Sequence, residues 1–266
     1  MRSYRFFLRH SPLPPLSVTA PTIVPTTLSA HDEPEIFYQL STVLRVKPED
    51  EIILLPHASN ISQSSFNEYH YQIQAFNKKE LTLLFTGVTQ NHNEPKVQLE
   101  LILCLPNKPE KLEFILQKSV ELGVGSIILA EGDFSQMKHQ LRPDRLQRII
   151  TEAAEQSERA IIPRFEIEKK LHEFLEKRAT KLSEKADLWV ALERHDLPPL
   201  SALFEKQSHQ GPVNKISLLV GPEGGFSDAE KNLMKNQNLT CFTLGRRILR
   251  METAVIASLG ILSQYL

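Results

Sequence analysis

The sequence predicts an α/β protein: a C-terminal parallel sheet covered by helices, preceded by a small N-terminal β barrel. Three observations predict it. Beyond Lys96, strand-like apolar runs alternate with helix-length periodic stretches, the pattern of a parallel sheet. Before Thr89 the apolar runs are short and alternate with period two, as β segments do. Between them lies the polar segment Thr89–Lys96, TQNHNEPK, where few core contacts can form. The 266 residues suffice for two domains, expected at 1–92 and 93–266.

In chain order, Tyr4–Leu8, Glu51–Leu55, Tyr69–Phe76 and Leu81–Val88 read as the strands of the first domain, with a helix at Glu35–Leu44. The intervening SPLPPLSVTAPTIVPTT is rich in proline, which donates no ladder hydrogen bond, and is expected to be extended and exposed. The second domain is expected to have strands at Val97–Leu105, Ser126–Ala130, Asp187–Leu192, Lys215–Val220 and Thr240–Leu244. Helices are expected at Glu110–Leu122, Pro143–Glu158 and Ser227–Asn236. In the first of these, Leu112, Ile115, Leu116, Ser119, Val120 and Leu122 recur at helical spacing and Gly123 is placed to end it. The closing segment Glu252–Leu266 is apolar at Val255, Ile256, Leu259 and Leu262, and buries a face against its own domain or a second subunit.

Composition narrows the function. A net charge of −1 excludes a globally basic nucleic-acid binder, so any RNA contact must be local. The two cysteines, Cys104 and Cys241, lack the paired spacing of a zinc site and read as buried free thiols; no metal is expected. No apolar run is long enough for a membrane helix, and the N-terminus lacks the apolar core of a signal peptide, so the expected location is the cytoplasm.

The chemistry is concentrated between Leu219 and Thr253. The buried-strand pattern Lys215–Val220 runs into Gly221-Pro222-Glu223-Gly224-Gly225, and Ser227 with Glu230 has the spacing of a capping box that opens a helix. Strand, glycine loop, helix is a common ligand-binding order, because backbone amides point outward at the carboxyl end of a parallel sheet. Taken alone, the loop is equally a packing turn. It matches neither a P-loop nor a dinucleotide fingerprint. A second turn, Leu244-Gly245-Arg246-Arg247-Ile248-Leu249-Arg250, leads into Met251-Glu252-Thr253 and the last helix. Its three arginines can clamp anionic groups, or form a solvated basic face. Cations at a helix start oppose the macrodipole by some tenths of a kcal/mol, which favours a functional role, above all for Arg250.

Together GPEGGFSDAE, LGRRILRMETA, KLEFILQKSVELGV and EAAEQSERAIIP resemble the RsmE family of ribosomal RNA uridine-N3 methyltransferases, in the SPOUT superfamily. The resemblance runs from about Leu101 to the end, and more loosely through RFF at Arg5–Phe7 and VLRVKPED at Val43–Asp50. It implies a deep trefoil knot, a PUA-like RNA-binding barrel at the N-terminus, a homodimer, and S-adenosylmethionine held in the knot loops. The cofactor contacts it implies are Leu192, Leu219, Gly221, Gly224, Leu244, Gly245, Ile248 and Leu249. Arg250 would stabilise the developing uridine anion or its phosphate, and Glu223 would organise the loop or assist proton removal. Glu193 and Glu252 are further carboxylates near the expected site. Arg5, Arg45, Lys118 and Arg159 would contact RNA, with Lys118, Glu121, Gln156 and Arg159 near the pocket or the dimer seam. The substrate implied is 16S ribosomal RNA or the small ribosomal subunit.

The chain departs from the family pattern. Tyr38-Gln39 stands where a histidine pair is usual, PGD becomes Pro48-Glu49-Asp50, the glycine of EQSGR becomes Glu158, and Ser-Glu-Arg-Ser is replaced by Glu131-Gly132-Asp133-Phe134-Ser135. The altered N-terminal residues and the near-zero net charge motivate a rival reading from another class, a catalytically silent RNA-binding or ribosome-assembly protein that keeps the fold.

Overall fold

The computed structural model describes residues 3–9, 25–56, 66–137, 140–180, 188–193, 196–209 and 213–265. It separates into two compact units, Met1–Glu94 with Ala154–Ile162, and Pro95–Ala153 with Pro163–Leu266. Among the described residues no helix is long and apolar enough to cross a membrane.

The first unit is a mixed sheet of β1 (Ser3–Phe7), β2 (Pro25–Ser29), β3 (Glu51–Leu55), β4 (Asn67–Phe76) and β5 (Glu80–Gln90), in the order β1-β3-β4-β5-β2. β1 runs parallel to β3 and the other pairs are antiparallel. Register shifts in the β4–β5 pair mark bulges, which bend and coil a sheet. Phe6, Leu28, Ile52, Leu54, Tyr71, Ile73, Leu81 and Leu83 build the core with Ile36, Phe37 and Leu40. Two expectations are corrected here. The helix expected at Glu35–Leu44 is a short α1 (Pro34–Tyr38) followed by a π-helical turn, Gln39–Val43. The proline-rich stretch does not stay a loop to its end: Pro25 opens β2, a position where a missing N–H is tolerated, and residues 11–24 of that stretch lie outside the described residues.

The second unit is a six-stranded sheet of β6 (Gln98–Cys104), β7 (Ser126–Glu131), β8 (Arg164–Lys170), β9 (Leu188–Ala191), β10 (Lys215–Val220) and β11 (Thr240–Phe242). Its order is β11-β9-β10-β6-β7-β8, with every pair parallel. The central strands read as continuous apolar runs because both faces are covered. β8, RFEIEKK, has no such run; it is a charged edge strand, the composition that protects an open edge. Its charge leaves no apolar pattern, and neither it nor α4 (Leu171–Ala179) nor α5 (Leu200–Ser208) is among the expected elements.

Helix α2 (Pro109–Glu121) opens with Pro109, whose missing N–H costs nothing in the first turn, and has Glu110 in its first turn and Lys118 in its last, charges suited to the helix dipole. Beyond its end, Gly123 has φ +89°, and the N–H groups of Gly123 and Val124 donate to Val120 and Ser119, closing the helix as expected. α3 spans Pro143–Gln156 and α6 Asp228–Asn236. α7 (Met251–Leu262) buries Met251, Val255, Ser258, Leu259 and Leu262 and packs against α2 and α5.

A buried charge network ties this sheet to α4. Glu100 on β6 accepts from Arg178 (2.6 Å), Ser217 (2.6 Å) and Lys215 (3.2 Å). Burial pushes the Glu100 carboxyl up, but these donors together outweigh it and hold it below the usual carboxylate range.

Candidate functional site

β10, β9 and β11 lie side by side and parallel, so their carboxyl ends open at one edge of the sheet. There a cavity of about 570 Å³ is lined by Leu192 and Glu193 after β9, by Gly221–Phe226 after β10, and by Thr243–Gly245, Arg247–Leu249 and Met251 after β11. Ligands of parallel sheets bind at such carboxyl-end crevices, where backbone amides are unpaired.

The first loop is fixed locally. Gly225 N–H donates to the Pro222 carbonyl (2.8 Å), and Gly225 takes φ +74°, which costs a glycine little. At Gly221 a Cβ would lie 2.9 Å from the buried Phe226 ring. The following helix begins with the expected capping box: Ser227 Oγ accepts from Glu230 N–H (3.1 Å), and Glu230 accepts from Ser227 N–H (2.7 Å).

The second loop is braced by a residue the sequence reading did not single out. Gly245 N–H donates to Thr243 Oγ1 (3.2 Å), whose hydroxyl donates back to the Gly245 carbonyl (3.1 Å). Gly245 has φ +107°, and a Cβ there would meet open space, so the loop presents bare backbone. The signal was available, since Thr two residues before a glycine is a common side-chain-to-backbone turn.

Seven of the eight expected cofactor residues line this cavity: Leu192, Gly221, Gly224, Leu244, Gly245, Ile248 and Leu249. Leu219 does not. It is fully buried in β10, and strand alternation puts its neighbour Val220 in the wall instead. Val220, Phe226, Lys231, Thr243, Met251 and Ala254 also line the cavity and were not anticipated.

The charged candidates separate into engaged and available groups. Glu223 lines the cavity, but its carboxylate accepts from Lys111 Nζ (2.8 Å) and from the Asn107 N–H (3.1 Å). Burial raises its pKa, and the Lys111 and backbone hydrogen bonds more than reverse this, keeping it ionised. Glu193 also lines the cavity. Glu252 Oε2 is buried in the first turn of α7 without a partner among the described residues. Arg250 is exposed at the N-cap of α7, between the lining residues Leu249 and Met251, without itself lining the cavity. Arg247 lines it and Arg246 does not.

Of the expected RNA contacts, Arg45 is exposed with φ +52°, and Lys118 is half-buried and pairs with Glu121 (2.8 Å). The other two point their charge inward. Arg5 is 10% exposed and pairs with Glu68 (2.9 Å), and Arg159 is 4% exposed and pairs with Glu94 (2.7 Å). Both read as surface residues because a sequence does not reveal which arginine has a buried carboxylate. The cysteines are free; Cys104 is buried and Cys241 only partly so, and burial pushes both thiols up.

The RNA methyltransferase domain family matches residues 93–263. A ribosomal RNA small subunit methyltransferase E from Bacillus subtilis is 29% identical over 248 residues, covering 86% of this chain and 87% of that one. A protein of the same name from Mesomycoplasma hyopneumoniae is 30% identical over 189 residues, covering 68% and 74%. In fold, the chain is similar to the crystal structure of a ribosomal RNA small subunit methyltransferase E from Neisseria gonorrhoeae bound to S-adenosyl methionine. That likeness has a TM-score of 0.77 at 24% identity and covers 99% and 98% of the two chains. With the matched segment holding the whole six-stranded sheet and both glycine loops, the chain belongs to the RNA methyltransferase domain family.

Proposed function

We propose that this protein transfers the methyl group of S-adenosylmethionine to N3 of a specific uridine in 16S ribosomal RNA of the small ribosomal subunit. The observation that carries the reading is the cavity at the ends of β9, β10 and β11, walled by two loops of exposed backbone within the family segment. The residues present suit the group. Gly245 leaves open space where a side chain would stand, the backbone of two loops offers donors and acceptors for an adenine edge, and Leu244, Ile248, Leu249 and Met251 supply apolar wall.

S-Adenosylmethionine supplies an electrophilic methyl: its S–C bond breaks as the N3–C bond forms, and the N3 proton leaves to a base or to water. The protein's part is alignment and charge placement. Glu223, bound by Lys111 and Asn107, organises the glycine loop and is a poor proton acceptor. Glu193 is the lining carboxylate left for that task. Arg250 sits beside the cavity with its guanidinium exposed, suited to the uridine anion or an adjacent phosphate.

In this reading residues 93–266 form the methyltransferase domain, a deep trefoil knot that works as a homodimer, and residues 1–92 form a PUA-like RNA-binding domain, acting in the cytoplasm. The mixed sheet of the first unit, with exposed Tyr38 and Arg45, supports the RNA-binding role. Mapping of 16S rRNA from cells with and without the gene is the test: a methylated uridine that disappears on deletion is expected. Binding of S-adenosylmethionine with unchanged rRNA would move the substrate elsewhere, and no binding at all would leave a silent RNA-binding protein. For the site, Arg250→Ala is expected to lower turnover far more than cofactor affinity, and equal losses would make Arg250 a cofactor ligand.

A further inference from the structure

The loop after β7, Gly132-Asp133-Phe134-Ser135, is short and polar apart from one aromatic ring. Its backbone is latched from below. Asp133 N–H donates to Glu230 Oε1 (2.9 Å), Ser227 Oγ donates to the Asp133 carboxylate (2.5 Å), and the Gly132 N–H and Ser135 Oγ close the turn (3.1 Å). Glu230 is 2% exposed, so the latch is protected from water. Gly132 can lie this close because a Cβ there would be 3.2 Å from both Cys104 Sγ and Glu230 Oε1. The same two residues that cap α6 therefore also fix the next loop.

What the latch holds in place is Phe134, 48% exposed. Its Cβ stands 2.8 Å, and its Cγ 3.6 Å, from where a Cβ on Gly224 would be, so the base of the ring rests on the backbone of the glycine loop. Gly224 lines the cavity, and across the site Ile248, 52% exposed, lines it as well. A solitary exposed phenylalanine is common on protein surfaces. This one is different in being held by buried charge and placed against the wall of a ligand cavity. Unpaired RNA bases are recognised by stacking on such rings, whichever base it is.

Resting on the methyltransferase reading above, we propose that Phe134 is the stacking platform for the RNA base delivered to this cavity. The ring stands behind Gly224 outside the cavity lining and holds the base against the loop; the methyl donor's contacts lie on the lining residues. Small ribosomal subunits from cells lacking the gene, titrated against the wild-type chain, F134A and F134W, test it. Loss of one base–aromatic stack is worth about tenfold in binding, so F134A should raise KM for subunits by about that factor, with S-adenosylmethionine affinity by calorimetry unchanged and F134W restoring KM. An active wild type with an indifferent F134A overturns the proposal alone, as does an equal loss of cofactor affinity. A change of molecular mass in sedimentation would assign the ring to self-association and overturn it too. An inactive wild type that binds no cofactor overturns the methyltransferase reading, and this one with it.

Discussion

The two units fill their left-handed backbone positions differently. In the second, Gly123, Gly225 and Gly245 take φ of +89°, +74° and +107°, and among the described residues the one non-glycine there is Asn238, a residue that tolerates this region. In the first, the same region is occupied by Arg45, Glu49 and Glu158, at +52°, +78° and +57°. The difference shows what each turn must do. Around the cavity a glycine answers to space as well as to dihedral angle, and Gly221 has no room for a Cβ even at ordinary φ. In the first unit the turn has only to hold backbone, so a side chain is tolerated if the surroundings over-determine the conformation.

Those surroundings are visible at Glu158. Its carbonyl accepts from the side chains of Asn91 (3.0 Å) and Asn93 (3.4 Å). The next residue, Arg159, pairs with Glu94, which also accepts from the N–H groups of Ala160 (2.8 Å) and Ile161 (3.3 Å). The harshest way to break the comparison is therefore Arg159→Leu, which leaves the Glu94 carboxylate, 4% exposed, with backbone N–H donors but without its guanidinium, and is expected to cost about 3–5 kcal/mol. Arg178→Leu in the second unit is the matched control and should cost less, because Lys215 and Ser217 still face Glu100. Urea unfolding followed by circular dichroism ranks the two. The reverse order would mean that the first unit's turn is not held by its ion pair.

The same control carries a pH signature. Glu100 is held below its unfolded value, so it adds stability above the unfolded carboxylate pKa of about 4.3 and loses it as pH falls through the lower folded value. Removing Arg178 raises the folded value, so acid unfolding of the variant should begin at higher pH than in the wild type. An unchanged acid limb would place the stabilisation outside this network.

A middle-sized effect tests the cavity side. In Gly221→Ala the new Cβ meets the Phe226 ring at 2.9 Å, and Phe226 is only 5% exposed and cannot swing away. Such overpacking costs about 1–3 kcal/mol. If the strain is relieved by moving the loop, S-adenosylmethionine affinity should fall by about tenfold, since about 1.4 kcal/mol is a factor of ten. Full affinity in a stable variant would show that Gly221 serves packing alone.

Much of this arrangement was legible beforehand, and the failures have physical causes. Apolar runs set β6, β7 and β10 within a residue or so, because buried parallel strands are apolar on both faces. The capping box placed the start of α6, since it is a local motif with reciprocal donors. Seven cavity residues were reachable through motif resemblance, while Leu219 lies one step of strand alternation away from the cavity wall. The charged edge strand β8 and the inward turn of Arg5 and Arg159 were not legible, because both depend on partners distant in sequence. Nor could the sequence reading have assigned Ala154–Ile162 to the first unit: the hydrogen bonds from Asn91 and Asn93 to Glu158 span more than sixty residues of chain.

The smallest effect sharpens the comparison most, because its sign is opposite. A side chain in the left-handed region costs about 1–2 kcal/mol, and glycine gives back roughly 0.5–1 kcal/mol through the entropy of the unfolded chain. Glu158→Gly should therefore stabilise by about 0.5–1 kcal/mol, a rise in Tm of about 1–4 °C. Its N–H bond to the Glu155 carbonyl and the two asparagine contacts to its own carbonyl use backbone atoms that glycine retains. Glu49→Gly should act likewise, since the Glu49 N–H donates to the Ile73 carbonyl whatever the side chain. The reciprocal change, Gly225→Glu, should destabilise the second unit by the same 1–2 kcal/mol and crowd the cavity besides. Should Glu158→Gly lower Tm instead, the glutamate side chain must make a contact that outweighs its backbone strain. The difference between the units would then lie in side-chain contacts and not in tolerance of strain.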